Sequence, residues 1–400
     1  MKAVIFAAGK STRTYPLTLT RPKPLLPIMG RPILAWQLDA LPPTVDTVVL
    51  VVGYRHEMIR AAFGDRYGRL KLEYVEQTEQ LGTGHAVLVC EEHLKGGDFL
   101  AMNGDDLYDA ADLAAIAAAG PAALVKEVAD PRLYAIYDVT EDLRVKRLVE
   151  KPTEIFSHLS NIGVYKFTPE IFPILHQTPL SPRGEIEITS AIQTFADQRA
   201  FHVVPAHGIW IPIGYPWHLL DANEYLLKNV LVPHILGDVQ PGAHLSGPVH
   251  VGKGSKIRPG AVIDGPVYIG EDCEVGPNCF LRPGTTLGNH CKIGQATEVK
   301  NSIFMDYAKA PHQNYVGDSV LGEGANLGCG TVTANFRHDG QNHFTLMKGQ
   351  RIDTGRRKLG AILGDHVHTG ILTSIYPGRK LWPHTSTRPN SVVDRDIETE

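Results

Sequence analysis

Over residues 1 to about 225, short apolar runs alternate with stretches of helical period. "KAVIFAA", "DTVVLVVG", "KLEYVEQ", "DFLAMNGDD" and "AALVKEV" read as strands. "ILAWQLDAL", "HEMIRAAFG" and "GHAVLVCEEHL" carry the 3.6-residue period of helices. Continuously apolar strands separated by helices predict a largely parallel sheet covered on both faces. Ligands of such sheets sit beyond the carboxyl ends of the strands, where "AAGKST" and "NGDD" fall. After a bridge at 226–243 the period becomes six. Leu245, Val251, Ile257, Ile263, Ile269, Val275, Leu281, Leu287, Ile293 and Val299 follow one another at that spacing. Four positions after each comes a small or modest residue, from Val249 and Ser255 through Cys291, Thr297 and Ile303. The spacing returns at Leu321 and Leu327 and again from Leu363 to Thr387, so 307–340 reads as an interruption. A period of six suits a prism-like solenoid in which each flat side turns one aliphatic inward. The expected organisation is an α/β Rossmann-like domain over 1–225, a linker over 226–243 and an all-β solenoid over 244–400.

Composition narrows the function. The 400 residues carry a formal net charge of −4, which gives no electrostatic case for nucleic acid. No apolar run has the length of a signal peptide core or a membrane span. Five cysteines without a CxxC pair fit reduced thiols. The chain therefore reads as soluble and cytoplasmic, without a membrane partner.

The stretch "AAGKSTRTYPLTLTRPKPLLP" contains Gly9-Lys10-Ser11, but Val4 stands where a P-loop requires its first glycine. The longer pattern, Ala7-Ala8-Gly9, Thr12-Arg13, Pro16-Leu17-Thr18 and Pro22-Lys23-Pro24-Leu25-Leu26-Pro27, resembles the signature of sugar-1-phosphate nucleotidylyltransferases. Ser11 replaces that signature's second glycine. In such a reaction a sugar-1-phosphate oxygen attacks the α-phosphate of a nucleoside triphosphate and pyrophosphate leaves. Anions meet, so the site needs N–H donors, cations and Mg²⁺ rather than a protein nucleophile. The resemblance implies that Ala7, Ala8 and Gly9 cradle the triphosphate, with Arg13 on the departing pyrophosphate and Lys23 at the α-phosphate. It further implies base reading by Gln77, Gly82 and Thr83 of "EQTEQLGTGHA". Asp105 of "MNGDDLY" takes the place of a Mg²⁺ ligand, with Asp106 its solvated neighbour. Ala135, Glu150, Lys151 and Asn161 would contact the sugar and its phosphate. One departure is large: in "WIPIGYPW", Pro212 stands where the family supplies a second metal-contacting carboxylate or an Asn.

The segment "YAKAPHQNYVGDSVLGEGANLGCGTVTANFRHDG" resembles the acetyltransferase half of bifunctional N-acetylglucosamine-1-phosphate uridylyltransferase/glucosamine-1-phosphate acetyltransferases, and "DTGRRKLGAILGDHVHTG" their shorter archaeal form. That resemblance supplies the left hand of the predicted β-helix. It implies His312 as the general base that lets an amine attack the thioester of acetyl-CoA. Arg282 and Lys300 would hold the sugar phosphate, and Tyr315 and Asn326 the amino sugar. Asn335 and the backbone at Cys329 would lie near the acetyl group. It also implies a homotrimer that shares its acetyl-transfer sites, with the insert "NFRHDGQNHFTLMKGQRIDTGRRK" as an arm completing the pocket. The leading expectation is a bifunctional enzyme using small-molecule substrates: acetyl-CoA, UTP or dTTP, and sugar phosphates. Pro212 motivates an alternative in which only acetyl transfer is active. A non-catalytic nucleotide-sugar sensor is a third.

Overall fold

The computed structural model describes residues 1–347 and 349–398. Its contacts divide the chain into two compact units, one of residues 1–10, 22–25 and 33–212, the other of 11–21, 26–32 and 213–400.

The first unit is built on a mixed sheet. Strand Lys2–Ala7 lies at its centre, parallel to Thr47–Val52 on one side and Phe99–Asn103 on the other, with Leu70–Glu76 parallel beyond Thr47–Val52. Side chains alternate between two cores: Val4, Val49, Val51 and Phe99 in one, Ala3, Ile5, Val48 and Leu50 in the other. All six residues of Thr47–Val52 are buried, as a strand covered on both faces demands. The parallel expectation ends at Leu159–Phe167, which runs antiparallel to Phe99–Asn103 and to Ala122–Glu127. From Ala122 to Phe167 the chain has no α-helix, only the single turn Pro131–Leu133. Without a crossover helix, neighbouring strands pair antiparallel.

The second unit is a left-handed parallel β-helix. Three parallel sheets form its walls, and Val249↔Val267↔Thr285 shows the 18-residue turn that three six-residue sides produce. Nine of the ten predicted aliphatics, Val251 to Val299, are fully buried, and their companions Ser255, Ala261, Cys273, Cys279 and Thr285 are buried with them. Each buried aliphatic contributes about 1.5–3 kcal/mol. Corners are made by residues in the left-handed backbone region, among them Gly254, Gly260, Asp272, Asn278, Gly284, His290 and Ala296.

The expected interruption at 307–340 is corrected. The ladder advances by 17 residues at Thr286↔Ile303 and again at Ile303↔Val320, so two corners are each one residue short. The inward positions shift to Phe304, Ala310, Val316, Leu321, Leu327 and Thr333, all fully buried. The coil continues to Val332–Thr333, and Val320 then pairs with Ile362. The arm between them carries a hairpin, Phe344–Met347 with Gln350–Asp353. The stretch read as a linker contains the end of helix His218–Asn229 and strands His234–Ile235 and Asp238–Val239, which pair into the coil. No helix among the described residues is long and apolar enough to cross a membrane.

Candidate active sites

In the first unit the chain leaves strand Lys2–Ala7 through buried Ala7 and Ala8 to exposed Gly9. The Ala8 carbonyl accepts from the Tyr54 amide and from Gln80 Nε2, both at 3.2 Å, which fixes the loop's root. Lys23 is buried, and its Nζ lies 2.6 Å from Oδ2 of the partly exposed Asp105, a residue 82 positions away. Asp106 is not the solvated neighbour expected. It is buried, and its Oδ2 accepts from Trp210 Nε1 at 3.1 Å and Tyr108 Oη at 3.2 Å. Burial, then the charge of Asp105, pushes its carboxyl up to about 7. Pro212 pairs with Asp106 across an antiparallel ladder, so the proline occupies a strand position. Asp105 is thus the carboxylate open to a cation here, and no group of three or more His, Cys, Asp or Glu side chains suited to a metal occurs among the described residues. These residues fit Mg²⁺ only as an ion that keeps most of its shell as water and phosphate oxygen.

Other predicted residues of this unit form two clusters. Gln77 is buried and donates through Nε2 to the Gly82 carbonyl at 3.1 Å. Gly82 has φ +90°, and a Cβ there would meet Glu185 Cβ at 2.8 Å, so only glycine lets helix Gly82–Leu88, which includes Thr83, begin here. Ala135 faces Glu150 in register, and the Lys151 amide donates to Tyr134 O at 3.1 Å. Asn161 donates to Tyr165 Oη at 2.8 Å and accepts from the Gly163 amide at 3.2 Å.

In the second unit Ser11 has φ 51°, a conformation that favours glycine and so accounts for the glycine of the signature. Its carbonyl is clasped by the hydroxyls of Thr14 at 2.7 Å and Thr18 at 2.9 Å. Arg13 is exposed on the turn Thr12–Thr14, its guanidinium 5.6 Å from the ring of Tyr215, which stacks on Trp217 at 4.6 Å.

On the coil, His312 ends strand Lys309–His312 and is exposed, while Tyr315 opens the next wall around the corner. The His312 amide donates to Asn314 Oδ1 at 3.2 Å, and buried Asn314 donates to Gly328 O at 2.7 Å, beside Cys329. Arg282 lies one residue past Leu281↔Val299, and Lys300 pairs with Gly317, so the predicted cation pair stacks on successive turns. Buried Asp318 gathers this wall: its Oδ2 accepts from Asn335 Nδ2 at 2.6 Å and lies 3.7 Å from Lys300 Nζ. Asn335 Nδ2 also donates to Tyr315 Oη at 3.3 Å. Gly317 permits this, since a Cβ would lie 2.5 Å from Asn335 Nδ2 and 2.8 Å from Tyr315 Oη. Arg282 Nη1 pairs with Glu298 at 2.8 Å. Asn326 joins the ladder between Lys309 and His368, one wall away from Tyr315. Burial, then the positive charges of Lys358 and Arg282, lowers the Lys300 ammonium pKa, against an opposing pull from Asp318. Sequence reasoning missed Asn314, Asp318 and Lys358. Asp318 closes the "YVGD" motif without an assignable role, and Lys358 reaches Lys300 only by way of the arm.

Residues 2–229 match the Nucleotidyl transferase family and residues 263–390 the GMPPB C-terminal domain. The chain is 43% identical over 400 residues to "Bifunctional protein GlmU" of Methanococcus maripaludis, covering 100% of this chain and 96% of that one. It is 36% identical over 404 residues to "Bifunctional sugar-1-phosphate nucleotidylyltransferase/acetyltransferase" of Sulfurisphaera tokodaii, covering 99% and 98%. Fold and similarity first define a transferase that joins a nucleotidyltransferase domain to a β-helix acetyltransferase. The chain belongs to the GlmU-type bifunctional nucleotidylyltransferase/acetyltransferase family. It is accordingly an enzyme that combines nucleotidyl and acetyl transfer on small-molecule substrates, among them a nucleoside triphosphate and acetyl-CoA, and the acetyltransferase-only and sensor readings gain no support.

Proposed function

We propose that the protein N-acetylates glucosamine-1-phosphate and transfers UMP or dTMP from UTP or dTTP to a sugar 1-phosphate in the cytoplasm, with residues 1–225 and 244–400 serving the two steps. The observation that carries the reading is the network of Lys300, Asp318, Asn335 and Tyr315, one corner of the coil away from His312. In acetyl transfer the amine nitrogen bonds to the thioester carbon, the C–S bond breaks and CoA leaves as thiol. His312 takes the amine's proton and returns it to sulfur. Arg282, Lys300 and Lys358 hold the phosphate; Tyr315 and Asn326 orient the amino sugar; Asn335 and the backbone at Cys329 face the acetyl group.

In nucleotidyl transfer the Ala7–Gly9 loop receives the triphosphate, Lys23 neutralises the α-phosphate and Arg13 the departing pyrophosphate. Gln77, Gly82 and Thr83 read the base, while Ala135, Glu150, Lys151 and Asn161 position the sugar phosphate. Asp105 would hold Mg²⁺, which would supply charge neutralisation for the reacting phosphates. Lys23 Nζ lies 2.6 Å from Asp105 Oδ2, and that contact holds the carboxylate in place. A homotrimer is supported by apolar side chains exposed along one wall, Val262 at 36%, Val332 at 40% and Val392 at 62%. The test is paired: pyrophosphate release from UTP or dTTP with sugar 1-phosphates, and free CoA thiol from acetyl-CoA with glucosamine-1-phosphate. Both activities are expected of one purified chain, and the absence of either removes that half of the proposal.

A further inference from the structure

Within the second unit a cavity of about 680 Å³ is lined by Lys300 and Asp318 of the coil, Lys228 of helix His218–Asn229, and Arg356, Arg357 and Lys358 of the arm. Its other carboxylates are Asp221 and Glu224, so five cations face three acids. Two cations already have acidic partners: Arg356 pairs with Asp221, and Lys300 lies 3.7 Å from Asp318. Lys358 and Lys300 line the same cavity, and crowding two ammonium groups is unfavourable until an anion enters; an exposed arm would carry Lys358 away from the cavity unless its backbone were held.

Arg356 holds it. Its Nη1 pairs with Asp221 Oδ1, and its Nε donates to the Lys358 carbonyl at 3.3 Å. The guanidinium is mostly buried although the arm is otherwise largely exposed, and Asp221 is half exposed on its helix. One fork thus ties Lys358, whose ammonium has no acidic partner among the described residues, to a helix outside the coil. From this arrangement we infer that Asp221 and Arg356 act as a strut that positions Lys358 over the acetyl acceptor's phosphate. The inference rests on the acetyl-transfer reading above and adds two positioning residues to it. Asp221 falls in the stretch matching the Nucleotidyl transferase family, so a residue of that segment serves the other reaction.

The test is the kinetics of CoA thiol release from full-length protein with glucosamine-1-phosphate varied. Asp221→Asn and Arg356→Gln should each raise KM about fivefold with kcat within about twofold, the signature of lost binding rather than lost chemistry. Asp221→Glu keeps the charge and should stay near wild type. The double variant should be no worse than either single, because both remove one strut. Pyrophosphate release should be unchanged throughout. KM values for both singles within about twofold of wild type would overturn the inference. So would a fall in kcat in place of the rise in KM, or additive effects in the double variant. A wild-type protein that released no CoA thiol would instead remove the reading beneath it.

Discussion

At the scale of single residues, His312 is proposed to bear the proton transfer of one reaction and to take no part in the other. His312→Ala should lower kcat for CoA thiol release by about 10²–10⁴-fold and leave pyrophosphate release intact; parallel loss of both would contradict separate sites. Pro212 is a sharper case because its ladder partner is Asp106, which is buried beside the carboxylate proposed for the metal. An aspartate at 212 adds an oxygen ligand where proline offers none. Pro212→Asp should therefore reduce the Mg²⁺ concentration needed for half-maximal pyrophosphate release. An unchanged requirement would mean that Asp105, water and phosphate already complete the shell. Thiols give a third check. Cys90 and Cys279 are buried, which pushes both up to about 12, and Cys273 and Cys291 are also buried, whereas Cys329 is partly exposed. Alkylation of the native protein at pH 8 should modify Cys329 alone, and acetyl-CoA should protect it. Labelling at a core cysteine, read by mass spectrometry, would refute this.

At the scale of elements, the coil's stability should follow its period. Leu281 is fully buried, so Leu281→Ala should cost about 2–5 kcal/mol. Val262→Ala, on the outward face, should stay within about 0.5 kcal/mol at concentrations where the chain is monomeric. Urea midpoints would separate the two, and equal shifts would mean the inward assignment is wrong. That period was readable from Leu245 to Val299 because every turn there spends the same 18 residues. It failed at Phe304, Ala310 and Val316, between the stretch ending at Val299 and the return at Leu321, because a corner can lose one residue while the wall stays paired, which moves the phase without breaking the coil. The first strands were equally legible as apolar runs. Leu159–Phe167 was not, because its antiparallel pairing follows from how the chain returns rather than from composition. Candidate residues inside contiguous motifs, such as Lys23, Asp105 and His312, could be named from the sequence. The burial of Asp106 was missed because it depends on Trp210, 104 positions away, and Lys358 because an arm brings it back to Lys300.

At the scale of the whole molecule, the proposed homotrimer would make the two reactions differ in what they require of neighbouring chains. The residues proposed for nucleotidyl transfer come from within one chain, whereas those proposed for acetyl transfer lie on solenoid walls, and a flat wall encloses little by itself. The exposed apolar line runs through the same sheet: Val332 pairs with Tyr315, and Tyr315 with Glu298. Covering that line with further copies buries apolar surface and closes the site, and three copies related by rotation leave no unsatisfied face. Acetyl transfer per chain should therefore fall on dilution below the trimer's dissociation range, while nucleotidyl transfer per chain stays constant. Val332→Glu places a charge in the proposed interface and should shift the mass in sedimentation from trimer to monomer, with acetyl transfer lost in proportion. Trimers that persist in Val332→Glu, or acetyl transfer that keeps its rate in monomers, would show that one wall and its arm suffice to enclose the substrate.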